Sequence, residues 1–98
     1  MEVRFAAADL KRLEEEPDFD GGFPKEIVRK YRMRLQFIRA AIDEREFYAM
    51  KSLHYEKLKG KRSHQRSMRL NNQWRLIIEI AKADPANLVV IVSIEDYH

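Results

Sequence analysis

The chain has 98 residues, near the usual size of one domain, and 45% of them are hydrophobic, enough for one compact core over residues 1–98 but not for two. It contains no cysteine, which excludes disulfides and thiolate chemistry and fits a cytoplasmic protein. No apolar run approaches the roughly 18 residues of a membrane span, and residues 1–19 lack the build of a secretory leader.

The net charge of +3 conceals a segregation that points to an anionic partner. Residues 1–20 carry three basic and seven acidic side chains, residues 21–75 fifteen and five, and residues 76–98 one and four. Along the chain, Val3-Arg4-Phe5 alternates as a short strand does. Leu10 and Leu13 stand at helical spacing within residues 6–15, and Pro17 ends that run. Asp20-Gly21-Gly22 is a turn signal. Pro24 suits the first turn of a long helix whose inner face would hold Ile27, Val28, Tyr31, Leu35, Ile38 and Ile42. Its opposite face carries Arg29, Lys30, Arg32, Arg34 and Arg39. Acidic residues within 43–46, followed by Phe47, Tyr48 and Met50, predict a further helical turn packed on the core.

From residue 51 onward the pattern is that of strands. Residues 66–70 and 74–80 alternate, with Asn71-Asn72-Gln73 between them. Residues 88–94 are apolar on both faces, as in a central strand, and follow the turn Asp84-Pro85-Ala86-Asn87. The expected architecture is α+β, in the order β–α–α–β–β–β, with the helices on one face of a small sheet. A three-residue loop at 71–73 pairs Leu70 with Trp74, Met68 with Leu76 and Arg66 with Ile78, gathering the large apolar side chains on one face. The same register sets Arg69 opposite Arg75. Such a like-charge pair costs some tenths of a kcal/mol, tolerable where an anion is meant to sit between the two.

The densest chemical constellation runs from Lys51 through His54, Lys57, Lys59, Gly60, Lys61 and Arg62 to His64 and Arg66. Lysine and arginine neutralise phosphates, and arginine's planar fork matches a phosphate's oxygens. A histidine among them is a candidate general base, though on its own it would be an ordinary strand-edge residue. The second constellation is Glu95-Asp96-Tyr97-His98, straight after the buried strand. Cleavage of RNA by its own 2′-hydroxyl needs a base, cations on the phosphate and an acid for the leaving oxygen, and no metal. Histidines, lysines and Arg69 or Arg75 supply those parts. Metal and nucleotide-triphosphate signatures are missing: the three histidines are widely spaced, and neither HExxH nor GxxxxGK[ST] occurs. No cofactor is expected.

Four pieces taken together, Leu58-Lys59-Gly60-Lys61-Arg62, Ser67-Met68-Arg69-Leu70-Asn71, Gln73-Trp74-Arg75-Leu76-Ile77 and Glu95-Asp96-Tyr97-His98, resemble the HigB toxins of the RelE/ParE superfamily. The resemblance covers the last half of the chain in motif and the first half in size and order only. It implies a RelE-like fold, with a mixed, largely antiparallel sheet. It also implies an mRNA interferase that enters the ribosomal A site, cuts translated message without metal and leaves a cyclic phosphate. A HigA-like helix-turn-helix antitoxin would neutralise it. Carried over by position, the resemblance points to His54, Lys57, Lys59, Arg75, Asp96, Tyr97 and His98 as catalytic. His98 or His54 would be the base, Arg75 and a lysine would face the phosphate, Asp96 would orient a histidine, and Tyr97 would hold the substrate. Lys51, Lys61, Arg62, Arg66 and Arg69 would bind RNA.

In many relatives a histidine stands three residues before the lysine of the Lys-Gly pair, whereas His54 and Lys59 are five apart. Either the loop is longer here or Lys57 takes over the place of His54. Two other functions fit part of the pattern. A ParE-like gyrase inhibitor gives no reason for the terminal Asp-Tyr-His, and a non-catalytic RNA- or ribosome-binding module leaves that terminus unexplained.

Overall fold

The computed structural model describes residues 1–97. Its elements are β1 (Glu2–Phe5), α1 (Ala8–Glu15), α2 (Lys25–Ala40), α3 (Arg45–Ala49), β2 (Glu56–Lys57), β3 (Arg66–Arg69), β4 (Trp74–Ala81) and β5 (Leu88–Asp96), with 3-10 turns at Lys51–Leu53 and Gly60–Arg62. Helix α2 forms where the apolar spacing requires it, and Ile27, Val28, Tyr31, Leu35 and Ile38 are all buried. It ends at Ala40, so Ile42 does not extend the inner face and is 82% exposed. Local hydrogen bonding overrides the periodicity there. The Ala41 amide closes on Phe37 and Ile38, and the Met1 amino group donates to the carbonyls of Ile38, Arg39 and Ala41 at 3.1, 2.9 and 2.7 Å. In α3 only Phe47 packs inward; Tyr48 and Met50, expected on the core, are exposed. Five residues make little more than one helical turn, which can present one side chain to the core and not three.

The basic side of α2 is largely framework. Arg32 reaches over the end of α1 and donates to the carbonyls of Leu13 in its last turn and of Glu16, Pro17 and Phe19 just beyond it. Arg39 makes a two-pronged ion pair with Glu14 at 2.8 and 2.7 Å. Arg34 gives both Nε and Nη2 to the Arg69 carbonyl, at 3.0 and 2.8 Å, tying α2 to β3.

The five strands lie in the order β1-β5-β4-β3-β2, with β1 parallel to β5 and every other pair antiparallel. The β3–β4 register is the expected one, with Met68 opposite Leu76 and Arg69 opposite Arg75. Strand β5 is internal, as its apolar run implies. Strand β2 is an addition, since two residues cannot show an alternation. Core residues Val3, Met68, Leu70, Leu76, Ile78, Val89 and Ile91 belong to one cluster with those of the helices. On the opposite face the hairpin loop of residues 58–65 folds back across the sheet. Arg62 clasps Glu95 at 3.0 and 2.6 Å, and Gln65 reaches Glu79 at 3.1 Å. Ser67 and Ile77, on that same face, are fully buried. The end of the face that carries Arg69 and Arg75 stays open.

Candidate active site

His54 follows the 3-10 turn and adopts φ 47° and ψ 48°, the left-handed region; among the described residues no other non-glycine residue has positive φ. That conformation costs an L-residue about 1–2 kcal/mol, so its neighbours must hold it. Leu53 and Tyr55 on either side are buried. The Tyr55 ring meets Phe47 and Tyr48 edge-on, at 5.4 and 4.8 Å between centroids. Its hydroxyl donates to Glu44 at 2.7 Å, and burial, then Glu44, push its pKa upward. Between two anchored neighbours, the His54 side chain is turned outward and exposed.

Arg75 holds the same residue from the sheet. Its side chain is only 14% exposed. Nη2 donates to the His54 carbonyl at 2.5 Å, Nε donates to the Ser67 hydroxyl at 2.9 Å, and Glu56 lies at 3.7 Å. Arg69, opposite, turns elsewhere. Its Nε donates to the Asn71 carbonyl at 3.2 Å, and its Nη1 lies 3.3 Å from His54 Nε2. A guanidinium can only donate, so this last contact is a hydrogen bond when Nε2 carries no proton. The two cations thus find separate partners inside the protein, and no anion between them is needed to make the register tolerable.

The 71–73 loop stitches the carboxy-terminal segment to the pocket. Asn71 Oδ1 accepts the amides of Gln73 and Trp74, both at 2.8 Å, a side-chain-closed turn. Gln73 in turn accepts the Tyr97 amide at 2.6 Å and donates from Nε2 to Asp96 at 3.0 Å. The result is an open pocket of about 430 Å³ walled by His54, Arg69, Asn71, Asn72, Arg75 and Tyr97. It adjoins a second hollow of about 470 Å³ that shares His54, Arg69, Asn71 and Asn72. A larger hollow of about 550 Å³ beside Phe19 and Met33 is lined by no histidine or hydroxyl.

Of the residues singled out in the sequence, His54, Arg69, Arg75 and Tyr97 converge, and Asp96 lies alongside through Gln73. His98 lies outside the described residues. Lys57 pairs across the sheet with Arg66 and so shares the helix-covered face, opposite to Arg75. Lys51, Lys59 and Lys61 are exposed outside the pocket. Arg62 is committed to Glu95; their hydrogen bond raises the pKa of the guanidinium and lowers that of the carboxyl. Arg66 lies 3.6 Å from Glu44, with its Nε buried and without a hydrogen-bond partner. Ser67, Asn71, Asn72 and Gln73 were not foreseen. An asparagine opening a tight loop is a readable turn signal, but Ser67 matters only through its diagonal relation to Arg75 across two strands. Among the described residues, no three histidine or carboxylate groups are placed to hold a metal ion, and no helix is long and apolar enough to cross a membrane.

A family model described as the RelE-like toxin of the type II toxin–antitoxin system HigB matches residues 3–98. No curated protein matches the chain. Among solved structures, a YoeB/ParE toxin from Agrobacterium tumefaciens superposes with a TM-score of 0.61 at 13% identity, covering 100% of both chains. YafQ from E. coli strain BL21(DE3) gives 0.58 at 11% identity, over 97% of this chain and 91% of that one. The protein HP0894 from Helicobacter pylori gives 0.57 at 12%, over 98% and 93%. At such identities the likeness is one of fold.

Proposed function

Because the chain belongs to the HigB-like family of RelE-like toxins of type II toxin–antitoxin systems, we propose that it is an endoribonuclease that cuts translated message in the ribosomal A site. The observation that carries this reading is the convergence of His54, Arg69, Arg75 and Tyr97 on one open pocket. In this reading Arg69 Nη1 shifts from His54 Nε2 to the scissile phosphate when RNA binds, and the freed Nε2 takes the proton of the 2′-hydroxyl as that oxygen attacks the neighbouring phosphorus. The bond from phosphorus to the 5′-oxygen breaks, a 2′,3′-cyclic phosphate remains, and the leaving oxygen takes a proton from an acid, for which His98 is the candidate. Arg69 stands beside His54 and meets the negative charge that develops on the phosphate. Tyr97 holds the substrate at the rim, and Asp96 steadies the terminal segment. Lys51, Lys57, Lys59 and Lys61, outside the pocket, contact the backbone of RNA and not the scissile linkage. The chemistry requires no metal and no cofactor. The partner that silences it is a HigA-like helix-turn-helix antitoxin in the cytoplasm.

The test is mapping of message ends in a translation reaction containing chelator, with and without ribosomes. New ends inside coding frames, bearing cyclic phosphate and dependent on ribosomes, are expected. Growth arrest with intact transcripts and accumulating DNA breaks would instead identify a gyrase inhibitor.

A further inference from the structure

The hollow next to the pocket lies between α2 and the 71–73 loop, and its own walls are Glu26, Lys30, Arg34, Ser52 and Leu70. We propose that it is a second phosphate subsite, taking the phosphodiester that flanks the scissile one in a single-stranded RNA, with Lys30 as the cation that pairs with it. The proposal rests on the nuclease reading of the adjoining pocket. The two hollows share His54, Arg69, Asn71 and Asn72 as a common wall. A strand lying with one linkage at His54 therefore continues into this hollow without a break.

What distinguishes Lys30 is what the other cations of α2 are doing. Arg32, Arg34 and Arg39 bind carbonyls or a carboxylate of the fold, and Lys25 and Arg29 line the separate hollow beside Phe19 and Met33. Among the described residues Lys30 makes no ion pair within 4 Å, not even with Glu26 one turn before it. A lysine ammonium is a compact point charge with three donors, suited to a phosphate that need not be held in one orientation. Arg34 fixes the wall by its two bonds to the Arg69 carbonyl, which leaves Nη1 as the nitrogen not engaged by the framework. Its partial burial lowers its pKa, so an anion nearby would repay some of that desolvation. Ser52 adds an exposed hydroxyl on the turn that precedes His54.

The experiment uses the whole protein and a fluorescein-labelled nonanucleotide RNA, 2′-O-methylated throughout so that it cannot be cut. Affinity is measured over a series of salt concentrations for wild type, Lys30→Gln, Lys30→Arg and Lys82→Gln, the last an exposed lysine in the β4–β5 loop. Lys30→Gln should bind several-fold more weakly and reduce the slope of log affinity against log salt by about 0.7, the value for one phosphate contact on a single strand. Lys30→Arg should restore the slope, and Lys82→Gln should not change it. In single-turnover cleavage on ribosomes, Lys30→Gln should raise the half-saturating concentration and leave the maximal rate alone. Equal slopes for wild type and Lys30→Gln would overturn the proposal, as would no RNA binding by wild type at low salt. A lowered maximal rate would overturn it too, by moving Lys30 to the scissile linkage. Lys30-dependent binding in a protein that cuts nothing would retain the subsite and remove the nuclease.

Discussion

At position 54 a histidine occupies backbone space that glycine enters without steric cost. Replacing it therefore removes strain along with the imidazole, while adding chain entropy to the unfolded state. His54→Gly should leave stability within about 1 kcal/mol of wild type and lower single-turnover cleavage by about 10²–10⁴-fold, the usual contribution of a general base. Wild-type rates from a folded His54→Gly protein would transfer the role to another group. Arg75 predicts a different outcome. Removing it leaves the Ser67 hydroxyl and the His54 carbonyl without their donor, so Arg75→Ala should destabilise the protein by about 1–3 kcal/mol in denaturant titration. Like charges facing each other across β3 and β4 suggest repulsion relieved by mutation; the hydrogen bonds that Arg75 makes in the fold reverse that sign. If Arg75 acts by holding His54, its loss should reduce cleavage strongly in wild type and little further in His54→Gly, a non-additivity that a double-mutant cycle measures. Full additivity would make Arg75 an independent ligand of the phosphate.

Among the elements, the clasp between the 58–65 loop and β5 is sensitive to acid. Arg62 and Ser93 both donate to Glu95, and the hydrogen bond from Arg62 is the main reason its carboxyl titrates below its ordinary value of 4.5. A depressed folded-state pKa contributes stability above the unfolded value and loses it as pH falls through the folded one. Glu95→Gln should therefore melt lower than wild type at pH 7, and the gap should close progressively below pH 4.5. A gap that is the same at pH 7 and pH 3 would show that the charge of Glu95 contributes nothing. The clasp also shows where reading a sequence stops. Helix α2 and the β3–β4 register were legible because buried side chains recur at a period, as Tyr31, Leu35 and Ile38 do on the helix and Met68 opposite Leu76 does on the sheet. His54, Arg75 and Tyr97 were legible as candidates because their motifs are. The partners of Arg32, Arg34, Arg62 and Arg66 were not. A cation in sequence looks the same whether it faces solvent or a helix terminus, and only the packing of distant elements decides which.

For the molecule as a whole, that distinction revises the meaning of its charge. The middle of the chain is strongly basic in sequence, yet several of its arginines are already neutralised or hydrogen-bonded by the fold. The field that a polyanion meets comes from fewer groups: Lys25, Arg29, Lys30, Arg69 and the exposed lysines of residues 51–61. Association with a polyanion should accordingly weaken with salt less steeply than the sequence count implies. The slope of log affinity against log salt for a long RNA measures this directly. A slope matching all fifteen basic residues of the segment 21–75 would mean that the internal arginines open to the ligand.

The ends of the sheet carry one more consequence. Its two edges are β1, four residues long, and β2, only two, and both alternate or end in charged side chains: Glu2, Arg4, Glu56 and Lys57. Exposed strand edges template the pairing of further chains, and short charged ones resist it. Edges this brief give one copy almost no ladder to offer another, which disfavours edge-to-edge aggregation of the free protein.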